Sequence, residues 1–347
     1  MFPKYNGKVT TSKIGYIECK INSVQDFFDL LKDNNNFHGY QFRGQDLESY
    51  KLEPTILRLY SGNRAKVDEY QKHVHEHYKT FLTSLRGRFN ESFDANRDKY
   101  EIWALGQHYG LATPLLDWTA TPWVALYFAF REKRQIIINV NDTKDEMSNK
   151  INILSEDRAV YCLNAVKVIE GYYFQLRHYF LECYDQNSMD LPFKTSSEYD
   201  NSFVESVRNN KKNGAYDVLN VIDGFIDNIG ITDYTKKCCE YAISKVNSYF
   251  PTIVSPRKGF NARLVNQRGL FTFSPTPDSL EKEIFTIWSN SDHKAPFPLI
   301  KLLIPDVLRD EIIETLYEMN INELSLFPDI HGACQYSNWK LNRKSNL

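Results

Sequence analysis

The sequence has no uninterrupted apolar run of roughly 18 residues, which excludes a membrane-spanning helix of ordinary length. It has no CxxC pair either. Cys19, Cys162, Cys183, Cys238, Cys239 and Cys334 are scattered, so they read as reduced core thiols rather than a zinc or disulfide framework. Neither charge is in excess: a net charge of −2 gives no global pull toward nucleic acid and leaves only a local basic patch open. The first residues, MFPKYNGKVTTSK, lack the apolar stretch of an export signal, so a cytoplasmic location is expected. His73, His75 and His77 invite a metal reading, but on a helix only His73 and His77 share a face. With no third ligand beside them, a hydrated helix face is expected and no metal.

What the chain does have is apolar and aromatic mass. Hydrophobic residues make up 42% and aromatics 14% of 347 residues, enough to fill a sizeable core in one domain spanning 1–347. Ser23 and Asp26 read as a capping-box pair opening a helix to Lys32, with Val24, Phe27, Phe28 and Leu31 on its apolar face. A short aromatic strand follows at 40–45. A longer helix over 64–86 carries Val67, Tyr70, Val74, Tyr78, Phe81 and Leu85 on one stripe. Strands are expected at 159–164, 263–273, 299–304 and 321–329, with Asp306 capping a helix that carries Leu308, Ile312, Leu316 and Met319. A mostly helical insert is expected over about 168–249, broken by polar tracts at 185–201 and 208–214. Short strands with uneven connections favour α+β over a regularly alternating parallel sheet.

The densest stretch is 101–131, EIWALGQHYGLATPLLDWTATPWVALYFAFR. Gln107, His108, Asp117, Thr119 and Thr121 sit within an apolar run, where polar groups must find hydrogen-bond partners or act on a ligand. Thr121 before Pro122 also reads as an N-cap and first helical residue, leading into Val124, Ala125, Phe128 and Ala129.

Four collinear segments resemble the FRG domain family: FRG at 42–44, QHYGLATPLLDWTATPWVALYFA at 107–129, NQRGLF at 266–271 and LFPDIHG at 326–332. The resemblance runs from about Tyr40 to Tyr336 and places no motif in the helical insert. Ala112 and Pro114 stand where the family usually reads Pro and then Arg, so a positive charge often found beside the site is missing here.

A more distant similarity is to mono-ADP-ribosyltransferases of the Arg–Ser–Glu type. Phe42, Arg43 and Gly44 resemble the opening element of that pattern. Trp118 to Thr121, followed by the helix from Val124 to Ala129, is similar to its middle element. This resemblance implies an ADP-ribosyltransferase-like mixed sheet core with flanking helices. It also implies NAD as substrate and an activity that transfers ADP-ribose to a macromolecule. For the third element, Gln267 takes the expected strand position, while Glu281 and Glu283 have the Glu-x-Glu spelling. By composition those two glutamates read as a solvated surface run.

A site of this kind needs an arginine fork for phosphates, which Arg43 supplies, and close approach, which Gly44 permits. Gln45, His108, Tyr109, Thr119 and Thr121 are the further candidates for holding the nucleotide. Cleavage of the glycosidic bond calls for a carboxylate beside the oxocarbenium-like centre. The catalytic candidates are therefore Arg43, Asp117, Thr119, Gln267 and Glu283. Arg43 also reads as a structural arginine paired with Asp117.

The family resemblance implies a toxin or anti-phage defence effector. Its acceptor would be RNA or protein, with an antitoxin or regulatory protein as partner and no membrane. The tract at 208–214 and Arg177 could form a basic contact, with the insert as a dock. The alternatives are a non-catalytic nucleotide-sensing module and an NAD glycohydrolase. The enzymatic reading requires the Arg43 strand and the Thr119 strand to lie side by side and open onto one cleft.

Overall fold

A computed structural model describes residues 9–11, 16–32, 37, 39–88, 98–134, 156–185, 233–254, 262–289 and 298–344. The expected polar tracts at 185–201 and 208–214 lie outside the described residues, apart from Asp185.

The architecture is mixed α+β. Eight strands form one sheet: β1 (Val9–Thr11), β2 (Ile17–Lys20), β3 (Tyr40–Gln45), β4 (Leu115–Thr119), β5 (Arg158–Asn164), β6 (Thr252–Val254), β7 (Gly269–Phe273) and β8 (Leu299–Ile304). Their order across the sheet is β1-β2-β8-β5-β3-β4-β7-β6. Among the described strands β2 and β8 pair in parallel and every other neighbouring pair is antiparallel.

The sheet is seamed near its middle. β3 and β5 pair continuously from Tyr40↔Asn164 to Gln45↔Ala159, and β4 pairs with β7 from Leu115↔Phe273 to Thr119↔Gly269. β3 and β4 share a single register pair, Phe42↔Thr119, and diverge beyond it.

The period of two along each strand sorts side chains onto two faces. On one face α6 (Ala165–Asp185), α7 (Asp233–Tyr249) and α9 (Leu280–Ser289) cover Leu116, Trp118, Tyr161, Leu163 and Leu270. On the other, α1 (Val24–Lys32), α5 (Pro122–Phe130) and α10 (Arg309–Glu318) cover Phe42, Val160, Cys162, Ile300 and Leu302. Further along that second face α2 (Thr55–Leu59), α3 (Val67–Leu85) and α4 (Lys99–His108) pack on Leu115, Phe271 and Phe273. The seam lies between these two clusters.

The backbone of α5 runs against β3. A Cβ on Gly44 would stand 1.9 Å from the Ala125 carbonyl oxygen and 2.6 Å from the Ala129 nitrogen. Gly44 therefore serves the approach of helix to strand rather than of ligand to strand. The far end of α5 is fixed by arginines. Buried Arg158 donates to the Ala129 and Glu132 carbonyls and pairs with Asp46 at 2.8 Å and with Asp306. Arg309 donates to the Arg131 carbonyl at 3.1 Å. Cations at these orphan carbonyls also suit the negative end of the helix dipole.

Three local expectations are overturned. The segment expected as a strand over 263–273 begins as a helix, α8 (Ala262–Asn266), and becomes β7 only after Arg268, a non-glycine residue at φ 47°. The alternating run over 321–329 holds a helical turn, α11 (Glu323–Leu326), because Asn322 and Ser325 form a capping box. The Asn322 side chain accepts from the Leu324 and Ser325 nitrogens, which outweighs the period-two pattern. Asp306 begins a 3-10 turn, Asp306–Leu308, ahead of α10, and its carboxylate is engaged by Arg158. The last helix, α12, spans Ile330–Lys344.

Among the described residues no helix is long and apolar enough to cross a membrane, and no group of three or more His, Cys, Asp or Glu could hold a metal ion. His77 Nε2 lies 2.9 Å from the Ala112 oxygen, and the ring stacks on Trp103. Cys19 and Cys162 are buried free thiols, whereas Cys334 is exposed, which corrects its reading as a core residue.

Candidate functional site

Over the seam lies a cavity of about 410 Å³, within the range of small-molecule pockets. β3 contributes Phe42, Arg43 and Gly44, β4 contributes Asp117, Trp118 and Thr119, and α4 contributes Ala104, Gln107 and His108. Ala125, Phe128 and Arg131 come from α5 and its end; Arg263, Leu264 and Gln267 come from α8 and the turn after it. Phe271 and Phe327 complete the wall. All four motif segments thus meet at one cavity, although they are spread over nearly three hundred positions of sequence.

The polar centre is built around Asp117. Arg43 Nη1 donates to the Asp117 main-chain oxygen at 2.8 Å and lies 3.6 Å from its Oδ2. Gln107 Nε2 donates to Oδ1 at 2.8 Å, and the Thr113 hydroxyl donates to Gln107 Oε1, which orients the amide. The Asp117 side chain remains 65% exposed, so it stays open to a ligand while held from two sides.

The path of Arg43 differs from the simplest expectation. Phe42 pairs with Thr119 and shares its face, so the next residue, Arg43, starts toward the opposite face beside its register partner Tyr161. Its guanidinium reaches the cavity because β4 has parted from β3 at that level. The side chain is 20% exposed and its Nε is buried without a hydrogen-bond partner. Burial pushes the Arg43 pKa down, the Asp117 charge opposes that, and nearby Arg58 adds to the lowering. Such an orphan donor costs free energy unless something meets it.

Thr119 is buried, and its hydroxyl is fully committed: it donates to the Gln267 carbonyl at 2.6 Å and accepts from the Thr121 nitrogen at 3.1 Å. Its part is to fasten β4 to the turn after α8. Gln267 stands in that turn rather than in a strand, and its Nε2 donates to the Leu326 carbonyl at 3.2 Å. Asn266 Nδ2 donates to the Ser325 carbonyl at 2.8 Å, so the third and fourth motif segments are sewn together beside the cavity.

Residues not expected from the sequence also line the cavity: Arg131, Arg263 and Phe327. Both guanidiniums lie over the Phe327 ring, Arg131 at 6.0 Å and Arg263 at 5.2 Å from its centroid. Asp329 anchors Arg263 at 2.8 Å through Nε. With Arg43 the wall carries three arginines against one lining carboxylate, Asp117. Arg263 is paired with Asp329 and Arg131 with Glu132 at 3.3 Å, so what the wall offers an anion is forked donors rather than an excess of charge. The pKa of His108 is lowered, first by burial and then by the Arg263 charge, so its imidazole favours the neutral form. Gln107 opens the 107–129 motif segment and Arg131 stands two residues after its end, which are faint signals; Arg263 has none of its own.

Other candidates are placed elsewhere. Gln45 is buried and its Nε2 donates to the Lys51 carbonyl at 3.4 Å. Tyr109 is 77% exposed and does not line the cavity. Thr121 is the N-cap residue of α5, with Pro122 in the first turn, but its hydroxyl makes no capping bond and does not line the cavity. Glu283 is on α9, 4% exposed, away from the cavity wall. The Thr276 hydroxyl donates to its Oε1 at 2.7 Å and the Ser274 hydroxyl stands beside it, yet burial pushes its pKa up to about 8. Glu281 is equally buried and accepts from the Leu52 nitrogen at 2.8 Å, so the Glu-x-Glu run is an internal structural pair and not a solvated surface.

No curated protein and no solved structure matches the chain. A family model, the FRG domain, matches residues 38–136, covering β3 through α5 and with them Arg43, Gln107, Asp117 and Thr119. The NQRGLF and LFPDIHG segments lie outside that match, though they close the same cavity. The stretch of chain that supplies Arg43, Asp117 and the amide between them is the part that the FRG domain model matches.

Proposed function

We propose that the cavity over the β3–β4 seam binds NAD, and that the protein cleaves its nicotinamide–ribose bond and passes ADP-ribose to a macromolecule, RNA or protein. The observation that carries this reading is the Asp117 carboxylate. It is exposed to the cavity and held between Arg43 and Gln107 in a wall with three arginines. A diphosphate suits the guanidiniums, which offer forked donors for its oxygens. Asp117 suits the positive charge that develops on the ribose as the C–N bond breaks and nicotinamide leaves with the bonding electrons. The acceptor then bonds to the same carbon and loses its proton. Neutral His108 is the lining group able to take that proton. Phe327 and Phe128 supply an apolar surface for a ring of the nucleotide.

The ADP-ribosyltransferase-like sheet core, the role as a toxin or anti-phage defence effector, and an antitoxin or regulatory partner belong to this same proposal. A second reading, a non-catalytic nucleotide-sensing module, is favoured by one observation: Glu283, the best-spelled catalytic acid, is buried apart from the cavity.

Incubation of the protein with labelled NAD and cell lysate separates these readings. Label on RNA or protein supports the transferase, and its loss in Asp117→Asn ties the chemistry to the carboxylate. Free ADP-ribose alone makes the protein an NAD glycohydrolase. Binding without turnover makes it a sensor, and no binding at all removes NAD from consideration.

A further inference from the structure

A second cavity, of about 310 Å³, lies between α3, α4 and α7 and is closed below by the end of β7. Tyr70 and Trp103 in its wall are completely buried, and neither the Tyr70 hydroxyl nor the Trp103 indole nitrogen has a hydrogen-bond partner. Ser274 Oγ, also in the wall, is a third such atom. Buried polar atoms without partners are rare, and three around one cavity point to a missing ligand rather than to chance. The indole N–H can only donate, so whatever meets it must bring an acceptor.

Lys99 also lines this cavity, one helical turn before Trp103 and on the same face of α4. Its ammonium lies 5.0 Å from the Phe273 ring centroid, and no carboxylate pairs with it among the described residues. Burial pushes its pKa down, the sign of a cation held without a counter-ion. No aspartate or glutamate lines the cavity; the nearby carboxyl, Glu283, stands behind Tyr70 and Ser274, where burial pushes its pKa up to about 8. A wall of donors, one cation and aromatic rings, with no lining anion, selects a ligand that is negative at one end and flat and apolar at the other.

We propose that this second cavity binds a small organic anion, a carboxylate or phosphate group carried on an aromatic or similarly apolar body. α4 joins it to the first cavity: Lys99 and Trp103 face the second, and Ala104, Gln107 and His108 face the first. The strand β7 does the same through Phe273 and Phe271. A ligand on Lys99 therefore bears on the helix that holds Asp117 through Gln107. The second cavity takes its anion whether or not the first takes NAD.

The test is calorimetric titration of the whole protein with benzoate, phenyl phosphate and, as the neutral isostere, benzamide. Benzoate or phenyl phosphate is expected to bind saturably and benzamide at least tenfold more weakly. Lys99→Met keeps the apolar stem and is expected to weaken anion binding at least tenfold. Ser244→Trp is expected to abolish it by filling the mouth from the exposed side of α7, where the core is untouched. Arg131→Gln, in the first cavity, is expected to leave binding unchanged. The proposal is overturned if none of the probes binds, if benzamide binds as well as benzoate, or if binding survives both Lys99→Met and Ser244→Trp. Loss of binding in Arg131→Gln alone, with both second-cavity variants still binding, would assign the anion to the first cavity and overturn it equally.

Discussion

Arg43 grips Asp117 twice, through the main-chain oxygen at 2.8 Å and toward Oδ2 at 3.6 Å, and so spans the gap where the two central strands part. Hydrogen bonds that involve a charged group contribute about 1.5–3 kcal/mol to stability. Arg43→Ala is expected to lower unfolding free energy by about that amount in urea titration, leaving the protein folded at neutral pH. It is also expected to abolish binding of labelled NAD. Arg43→Lys is expected to recover part of the stability without recovering binding, because an ammonium lacks the planar fork. Wild-type NAD binding by Arg43→Ala would remove this residue from the site.

Gly44→Ala tests a different use of the same motif. With the Ala125 oxygen 1.9 Å from the added methyl, either β3 or α5 must shift. Overpacking of this kind costs about 1–3 kcal/mol, so the melting temperature is expected to fall by several degrees. If the glycine instead served ligand approach, stability would be unchanged and only binding would suffer.

Glu283 predicts a pH dependence. Its folded pKa, about 8, stands above the ordinary value of 4.5 because of burial. The folded state therefore keeps the proton after the unfolded chain has lost it. The stabilisation is fully present below about pH 4.5 and is lost as pH rises through about 8. Within that window the slope approaches about 1.4 kcal/mol per pH unit. Glu283→Gln cannot titrate, so it is expected to flatten the slope and to be more stable than wild type near pH 8. Parallel stability curves for the two proteins would refute the shift.

Asp329 has two duties that substitution can separate. Its Oδ1 accepts from the Gly332 nitrogen at 3.0 Å at the start of α12, and its Oδ2 holds Arg263. Asp329→Asn is expected to keep the cap and lose the ion pair, with little change in melting temperature. Asp329→Ala loses both and is expected to cost about 1 kcal/mol more. Equal stability of the two variants in denaturant titration would show that the cap contributes nothing.

Much of the scaffold was legible because local signals agreed with burial. The strand over 299–304 and the helix ending at Lys32 read directly from their apolar periods, and the Ser23 hydroxyl does accept from the Asp26 nitrogen at 3.1 Å. The other half of that capping pair differs: Asp26 accepts from Asn22 and not from Ser23. The misread segments are those where a short cap competes with alternation, as at Asn322, or where a turn needs an unusual backbone, as at Arg268. Asp117 could be singled out as a polar group inside an apolar run, and Arg43 through the Phe-Arg-Gly resemblance. Arg131 and Arg263 could not, because a charged residue at a helix end reads the same whether it faces water or a cavity. Glu283 misled for the opposite reason: its spelling suggested catalysis and its charge suggested solvent, yet it lies inside.

The lone register pair between Phe42 and Thr119 gives the sheet a pivot. Strands β4, β7 and β6 are laddered to one another, as are the five on the other side, so each group is one continuous plate. Rotation of one plate against the other disturbs few backbone hydrogen bonds, because few cross the boundary. What resists it is the Arg43 clasp and the helices lying over the joint. The guanidinium and the carboxylate thus face each other across the joint that backbone pairing spans at a single register position, and the width of the cleft rests on side chains rather than on the ladder.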